Sequence, residues 1–314
     1  MSSALPSLRQ LRYLVTLSET LNFRRAAESL FVTQSTLSAG IKELENVLGV
    51  VLVERDKRNV RFTPMGTEAV ERARTMLAQA EDLVRIAKGA QQPLAGLLRL
   101  GVIPTIAPFL LPQVLPHLHA EHPQLQLYLR EDLTGRLLAQ VSSGELDFAL
   151  IALPYDTGDL VSRELFRDEF WFVAREDEAL SREKEVAIRE IDPARILLLE
   201  DGHCLRDHTI EACGVRRMAA RQGGLEATSL FTLLQMVDNA MGVTLLPEMV
   251  IKAGALTGTR LTARPFSHRV PARRIALVMR RSSALQADFE LLSDLITGQH
   301  NKNTRTRTAS RSKR

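Results

Sequence analysis

From Thr67 to Lys88 no proline or glycine interrupts the chain. Its apolar residues recur with a helical period, so this stretch predicts one long helix. Ala69, Ala73, Met76, Ala80, Leu83 and Ala87 are spaced alternately four and three apart, with Val70, Leu77 and Val84 widening the stripe. A helix packed on its own domain would show the same stripe. A seam of small residues on a helix between two domains favours pairing with a second copy, and homo-oligomerisation is the expectation. The patterns on its two sides differ, so the helix divides the chain into unlike parts.

Ahead of it the chain reads as helices. Leu11, Leu14, Val15 and Leu17 suit an amphipathic helix, and "NFRRAAESL" and "TQSTLSAGIKELENVLGV" follow. Thr33 is a plausible N-cap for the third helix. "VVLVERDKRNVRFTPMG" then gives two short β-type runs joined by a charged turn at 56–59. Small Ala26 and Ala27 permit a close helix crossing, and Leu30, Val32, Leu37, Ile41 and Leu44 fall at core spacing. Gln34, Ser35, Thr36, Ser38 and Lys42 remain outward on the third helix, short enough to reach base edges and phosphates in a major groove. Arg55, Lys57 and Arg58, with Arg61, would lie over the DNA backbone as a wing. Charge agrees: thirteen Lys/Arg against ten Asp/Glu in 1–92, twenty-two against twenty-seven in 93–300, and six against none in 301–314. The basic end, "NKNTRTRTASRSKR", reads as a disordered extension.

Beyond the linker "GAQQPLAG" the pattern alternates strand with helix: "LLRLGVI", "IAPFLLPQVLPHLHAEHP", "LQLYLRE", "LTGRLLAQVSSGE", "LDFALIAL". That order predicts parallel α/β sheets, which bind ligands at the carboxyl ends of their strands. Ile103-Pro104-Thr105 and Leu199–Cys204 stand at two such ends. No apolar run approaches membrane length and the first residues carry no signal-peptide pattern, so a cytoplasmic protein without membrane contact is expected. No cofactor or metal is called for.

Both cysteines of the chain lie in "LLLEDGHCLRDHTIEACGV". Positive neighbours of Cys204 (His203, Arg206, His208) and a helix beginning just after it would lower a thiol's pKa and make it a nucleophile. Cys213 follows nine residues later. A continuous helix would hold the two about 13.5 Å apart, whereas a disulfide needs Cα atoms roughly 4.4–6.8 Å apart. Bridge formation would therefore remodel the segment. Buried packing of both thiols, a zinc site with His208, and a permanent bridge remain as other readings.

The first sixty residues, with "FRRAA", "QSTLS" and "LVER", resemble the winged helix-turn-helix of LysR-type transcriptional regulators. The resemblance implies an α/β chain with an all-α, winged N-terminal domain. Its parts are a winged helix-turn-helix at 1–66, a linker helix and hinge at 67–92 and a two-lobed, periplasmic-binding-protein-like effector domain at 93–300, with the basic 301–314 outside the family pattern. It also implies double-stranded DNA as ligand, a tetramer built as a dimer of dimers, contact with RNA polymerase, and no enzyme turnover. "LLLEDGHCLRD" with a second cysteine nine residues on is similar to the sensor segment of the family's hydrogen peroxide-responsive members. That implies Cys204 as the peroxide-reacting thiol, Cys213 as its resolving partner, and reset by a thiol reductant. Thr105, Thr134, His203, Asp207 and Arg273 are implied around them, with Arg274 as the alternative register. A LysR-type regulator of a small-molecule effector, its cysteines incidental, is the other reading.

Overall fold

The structure, a computed structural model, describes residues 5–55, 60–87, 92–213, 226–268 and 270–311. Lys57 and Arg58 lie outside the described residues. The chain divides into two compact units, residues 1–91 with 142–145 and 282–284, and residues 92–141, 146–281 and 285–314.

Capping defines the helices of the first unit. Ser7 opens α1 (Leu8–Thr20) with a capping box to Gln10. Asn22 accepts from Arg24 and Arg25 N–H to open α2 (Phe23–Ser29). Thr33 accepts from Thr36 N–H to open α3 (Gln34–Leu48), as its sequence predicts, and Gly49 closes that helix in the left-handed region. The two β-type runs form a hairpin of β1 (Val53–Arg55) and β2 (Val60–Phe62). Buried Ala26 and Ala27 join Leu14, Leu17, Leu37, Ile41 and Leu44 in one core.

The long helix is α4 (Pro64–Ala87). Its seam is split between two uses. Val70 and Ala73 are buried in the helical core, with Ala69 and Leu77 packed on it, so packing on its own domain accounts for the first half. Met76, Leu83, Val84 and Ile86 are exposed.

The second unit begins with β3 (Gly96–Val102), α5 (Ala107–Glu121), β4 (Leu125–Glu131), α6 (Thr134–Ser143) and β5 (Phe148–Leu153). β3 pairs in parallel with β4 and β5, as alternation predicts. Beyond these, one two-residue pair later in the chain is parallel and the other ladders among the described strands are antiparallel. β6 (Val161–Arg175) is a fifteen-residue strand. Its alternating first half, "VSRELF", has charged residues between half-buried ones, which hides the strand from a search for apolar runs. After β7 (Leu198–Leu199), α7 (Cys204–Cys213), β8 (Glu226–Ala227), α8 (Leu230–Asp238), β9 (Thr244–Pro247), α9 (Glu248–Lys252) and β10 (Leu261–Arg264) comes β11 (Ala272–Met279). β11 runs antiparallel to both β5 and β6. β9 and β10 are antiparallel to the far half of β6.

Two hydrophobic cores result. One gathers β3, β5, β11, α5, α6 and α10 (Gln286–Arg311), and the other β9, α8 and the end of β6. β6 runs through both, so the two lobes share a strand. Across 301–311, part of the segment expected to be a disordered extension, the backbone continues α10. No proline or glycine follows Gly298, so a helix already formed extends without a new nucleus.

Gly66 sets the close approach of α4 to the wing. A Cβ there would lie 2.0 Å from the Leu52 carbonyl oxygen, which is backbone and cannot swing aside. Gly66→Ala is expected to cost about 1–3 kcal/mol through overpacking, read as a lowered midpoint of thermal unfolding; an unchanged midpoint would mean the wing shifts freely.

Candidate functional site

Arg273 is fully buried. On β11 it stands opposite Asp168 of β6. Its Nε donates to Asp168 Oδ2 at 3.0 Å, Nη1 donates to Thr105 Oγ1 at 2.8 Å, and Nη2 donates to the Thr105 carbonyl at 3.0 Å. Asp168 Oδ1 in turn accepts from Met249 N–H at 3.0 Å, in the first turn of α9. Arg274, one residue on, is exposed and pairs with Glu164. The structure thus puts Arg273 inside and Arg274 outside. Asp168 escaped sequence reasoning because a single acid ahead of "EFWFVAR" looks like any strand-flanking charge.

Beside this pair a small pocket is lined by Ile103, Pro104, Thr105, Leu133, Thr134, Gly202, His203 and Cys204. Three chain segments far apart in sequence meet there. Thr105 follows β3, Thr134 starts α6, and Cys204 starts α7. Gly202 makes the turn that presents Cys204. Its φ is +94°, and a Cβ would lie 2.9 Å from Leu133 Cδ1. The Thr134 hydroxyl is buried without a hydrogen-bond partner of good geometry. It lies beside the Cys204 sulfur, and favours the thiolate over the thiol.

Cys204 corrects the expectation drawn from its charged neighbours. It is buried, and that burial pushes its thiol up. The Arg273 charge, the Thr134 hydroxyl and the Leu205 N–H pull it back, while the Asp207 carboxylate adds to the rise. The cation beside the sulfur is therefore Arg273, sixty-nine residues away in sequence. Arg206 turns elsewhere, pairing with Asp201 at 2.7 Å and Glu226 at 2.6 Å. Asp207 is exposed on the first turn of α7. His203 is half-buried, and burial lowers its pKa against the pull of the Thr228 backbone.

Cys213 occupies the last position of α7, at the margin of the second core. Burial pushes its thiol up to about 11. Both cysteines are free thiols, and the intact helix holds their Cα atoms about 13.5 Å apart. One zinc ion cannot reach both, and among the described residues no group of three His, Cys, Asp or Glu is placed to hold a metal.

In the first unit Gln34, Ser35, Thr36 and Lys42 are exposed on α3 and Ser38 is partly so. Thr33 Oγ1 is 2.8 Å from both the Ser35 and the Thr36 hydroxyls. Those two groups are oriented by the cap before any ligand arrives. Arg55 ends β1, and Arg61 is exposed on β2. Among the described residues no helix is long and apolar enough to cross a membrane.

Comparison with known proteins agrees with both units. Residues 8–67 match the model of the bacterial regulatory helix-turn-helix protein, lysR family, and residues 91–300 match the LysR substrate binding domain. The HTH-type transcriptional regulator EstR of Acinetobacter baylyi is 45% identical over 94% of this chain and 97% of its own. The DNA-binding transcriptional dual regulator OxyR of Escherichia coli is 38% identical over 92% and 94%. A full-length OxyR cysteine-to-aspartate variant from Pseudomonas aeruginosa superposes with a TM-score of 0.79 at 36% identity, covering 93% of this chain and 98% of that one. A hydrogen peroxide-bound OxyR cysteine-to-serine variant from Corynebacterium glutamicum gives 0.65 at 32%, covering 98% and 97%.

The buried pair yields a stability test. Asp168→Ala strands a charge inside the protein and is expected to cost about 3–5 kcal/mol, whereas adding Arg273→Met should recover most of it. Chemical denaturation of both variants checks this; equal losses would mean that the stranded Arg273 charge is not the source of the cost.

Proposed function

The chain belongs to the LysR family of bacterial transcriptional regulators, and we propose that it binds double-stranded DNA and senses hydrogen peroxide through Cys204. The observation that carries this is the convergence near one buried sulfur of the Thr134 hydroxyl and the buried Arg273 guanidinium. Peroxide held by the Thr105 and Thr134 hydroxyls would present one oxygen to the sulfur and its leaving oxygen to hydrogen-bond donors. The sulfur attacks, the O–O bond breaks, and the thiol proton leaves with the second oxygen as water, so Cys204 becomes a sulfenic acid. Attack by the Cys213 thiol then forms the disulfide and releases a second water. Two equivalents of a cytoplasmic thiol reductant return both cysteines to thiols. Peroxide is consumed once per signal, without enzymatic turnover. His203, which lines the pocket, and Asp207, on the first turn of α7, belong to the surroundings of the reacting sulfur on this reading.

The helix geometry supplies the signal. With Cys204 and Cys213 at its two ends, α7 cannot stay intact once they are joined. Loss of α7 would alter the effector domain at 93–300, and the linker helix at 67–92 would carry the change to the winged domain at 1–66. The exposed Met76, Leu83, Val84 and Ile86 of α4 suit a partner subunit, within a homotetramer that arranges two pairs of DNA-binding domains before RNA polymerase. Gln34, Ser35, Thr36, Ser38 and Lys42 read the groove, while Arg55, Lys57 and Arg58 hold the backbone.

The match of residues 91–300 to the LysR substrate binding domain favours a second reading in which the effector domain answers a small molecule and the cysteines are incidental. Stoichiometric peroxide separates the two. The first expects two thiols lost per chain, none in Cys204→Ser, and a trapped sulfenic acid in Cys213→Ser. It also expects the wild-type DNA footprint to change with peroxide while that of Cys204→Ser does not. An identical footprint in every condition, with both thiols retained, would leave the second reading standing.

A further inference from the structure

His208 is the one buried ionisable side chain of α7 that the proposed chemistry does not use. It sits one turn after Cys204, on the same face of the helix. Only 6% of its surface is exposed. Its Nε2 lies 3.3 Å from the Pro154 carbonyl, in the loop after β5, and its ring packs 6.3 Å from that of Phe170 on β6. Its Nδ1 is buried with no hydrogen-bond partner. With Nε2 donating to Pro154, the neutral ring leaves a lone pair at Nδ1. A proton there would be a buried donor without an acceptor.

The charges facing the ring are few. Arg273 acts on it from β11 and opposes a second positive charge, while Asp207 and Glu211 on α7 favour one. Asp168 is engaged by Arg273 and by Met249 N–H, and the contacts from Pro154 and Phe170 are uncharged. Burial lowers the His208 pKa, the Pro154 carbonyl pulls it back, and Arg273 lowers it further.

We propose that His208 is a positioning residue that couples the sensor helix to protons: it seats α7 as a neutral ring and takes up a proton when the helix is released. The inference rests on the Cys204–Cys213 reading above, since closing that bridge breaks the helix around His208. The sign follows from linkage. A histidine whose pKa is depressed in the docked state stabilises that state at high pH, and the stabilisation is lost as pH falls below the free value near 6.5. Acid therefore favours the bridged form at equilibrium. It does not speed the first step, because the thiolate of Cys204 becomes scarcer.

Glutathione redox buffers isolate the effect. Between about pH 5 and 7.5 the thiols on both sides of the exchange stay protonated, so the exchange itself releases no proton. Any pH dependence of its equilibrium constant then reports a proton taken up by the protein. For the full-length wild type, with the bridge quantified by thiol trapping and mass spectrometry, the constant is expected to rise as pH falls below about 6.5, by at most tenfold per unit. His208→Gln keeps a donor for Pro154 but has no titration, and should be flat; His208→Leu should be flat as well. These His208 substitutions are made in a His203→Gln background, which removes the neighbouring half-buried histidine whose pKa burial also lowers, and His203→Gln alone should keep a slope. A flat wild type, a slope surviving in both His208 variants, or a slope lost only with His203 would each overturn the proposal. Failure to form the bridge at any pH would instead overturn the peroxide reading itself, and the proton coupling with it.

Discussion

Arg273 is a full positive charge with no exposed surface, and the second unit is arranged around satisfying it. Removing a guanidinium from water costs several kcal/mol, which only good geometry with further hydrogen bonds offsets. Asp168 supplies the countercharge across the β11–β6 register, Thr105 gives a hydroxyl and a carbonyl from the β3 end, and Met249 N–H ties the carboxylate to α9. One charge thus binds the strand shared by both lobes to a loop of the first and a helix of the second. The same charge favours a thiolate at Cys204 and disfavours a proton on His208. Structural cement and reactive environment are one group.

Against that fixed centre α7 is a movable part. It is ten residues long, below the length at which a helix holds itself together in water. Its stability comes from seating Cys204, Leu205, His208 and Thr209 against the lobes. Chemistry at Cys204 acts on the residue with which the helix begins, where the seat and the backbone hydrogen-bonding pattern both start. A short, packing-dependent helix gives way there more easily than a strand of the central sheet would.

The sequence was most legible where local rules dominate. The Thr33 cap, the β1–β2 pairing, the long helix and the parallel pairing of β3 with β4 and β5 all follow from periodicity and turn chemistry. Legibility failed where contacts are long-range. The charged first half of β6 concealed a strand buried by its neighbours. Arg206, adjacent to Cys204 in sequence, spends its charge on Asp201 and Glu226, while Arg273 does what proximity had assigned to it. The burial of Cys204 was likewise hidden, because flanking charges suggest exposure and a helix start can turn one residue inward while its neighbours face water. Thr105, Thr134 and Arg273 came from family resemblance; no spacing rule connects positions so far apart.

Cys213 at about 11 has one further consequence. Burial disfavours its thiolate for as long as α7 is folded. Packed at the far end of α7, it is a weakened nucleophile toward stray disulfides and toward Cys204 alike. Its nucleophilicity belongs to the unfolded segment, not to the folded one. On the peroxide-sensing reading the pair would behave as a logical conjunction: oxidation of one sulfur and departure of the helix would have to coincide before a bond could form. A transient oxidant that is removed before the helix lets go leaves no lasting record.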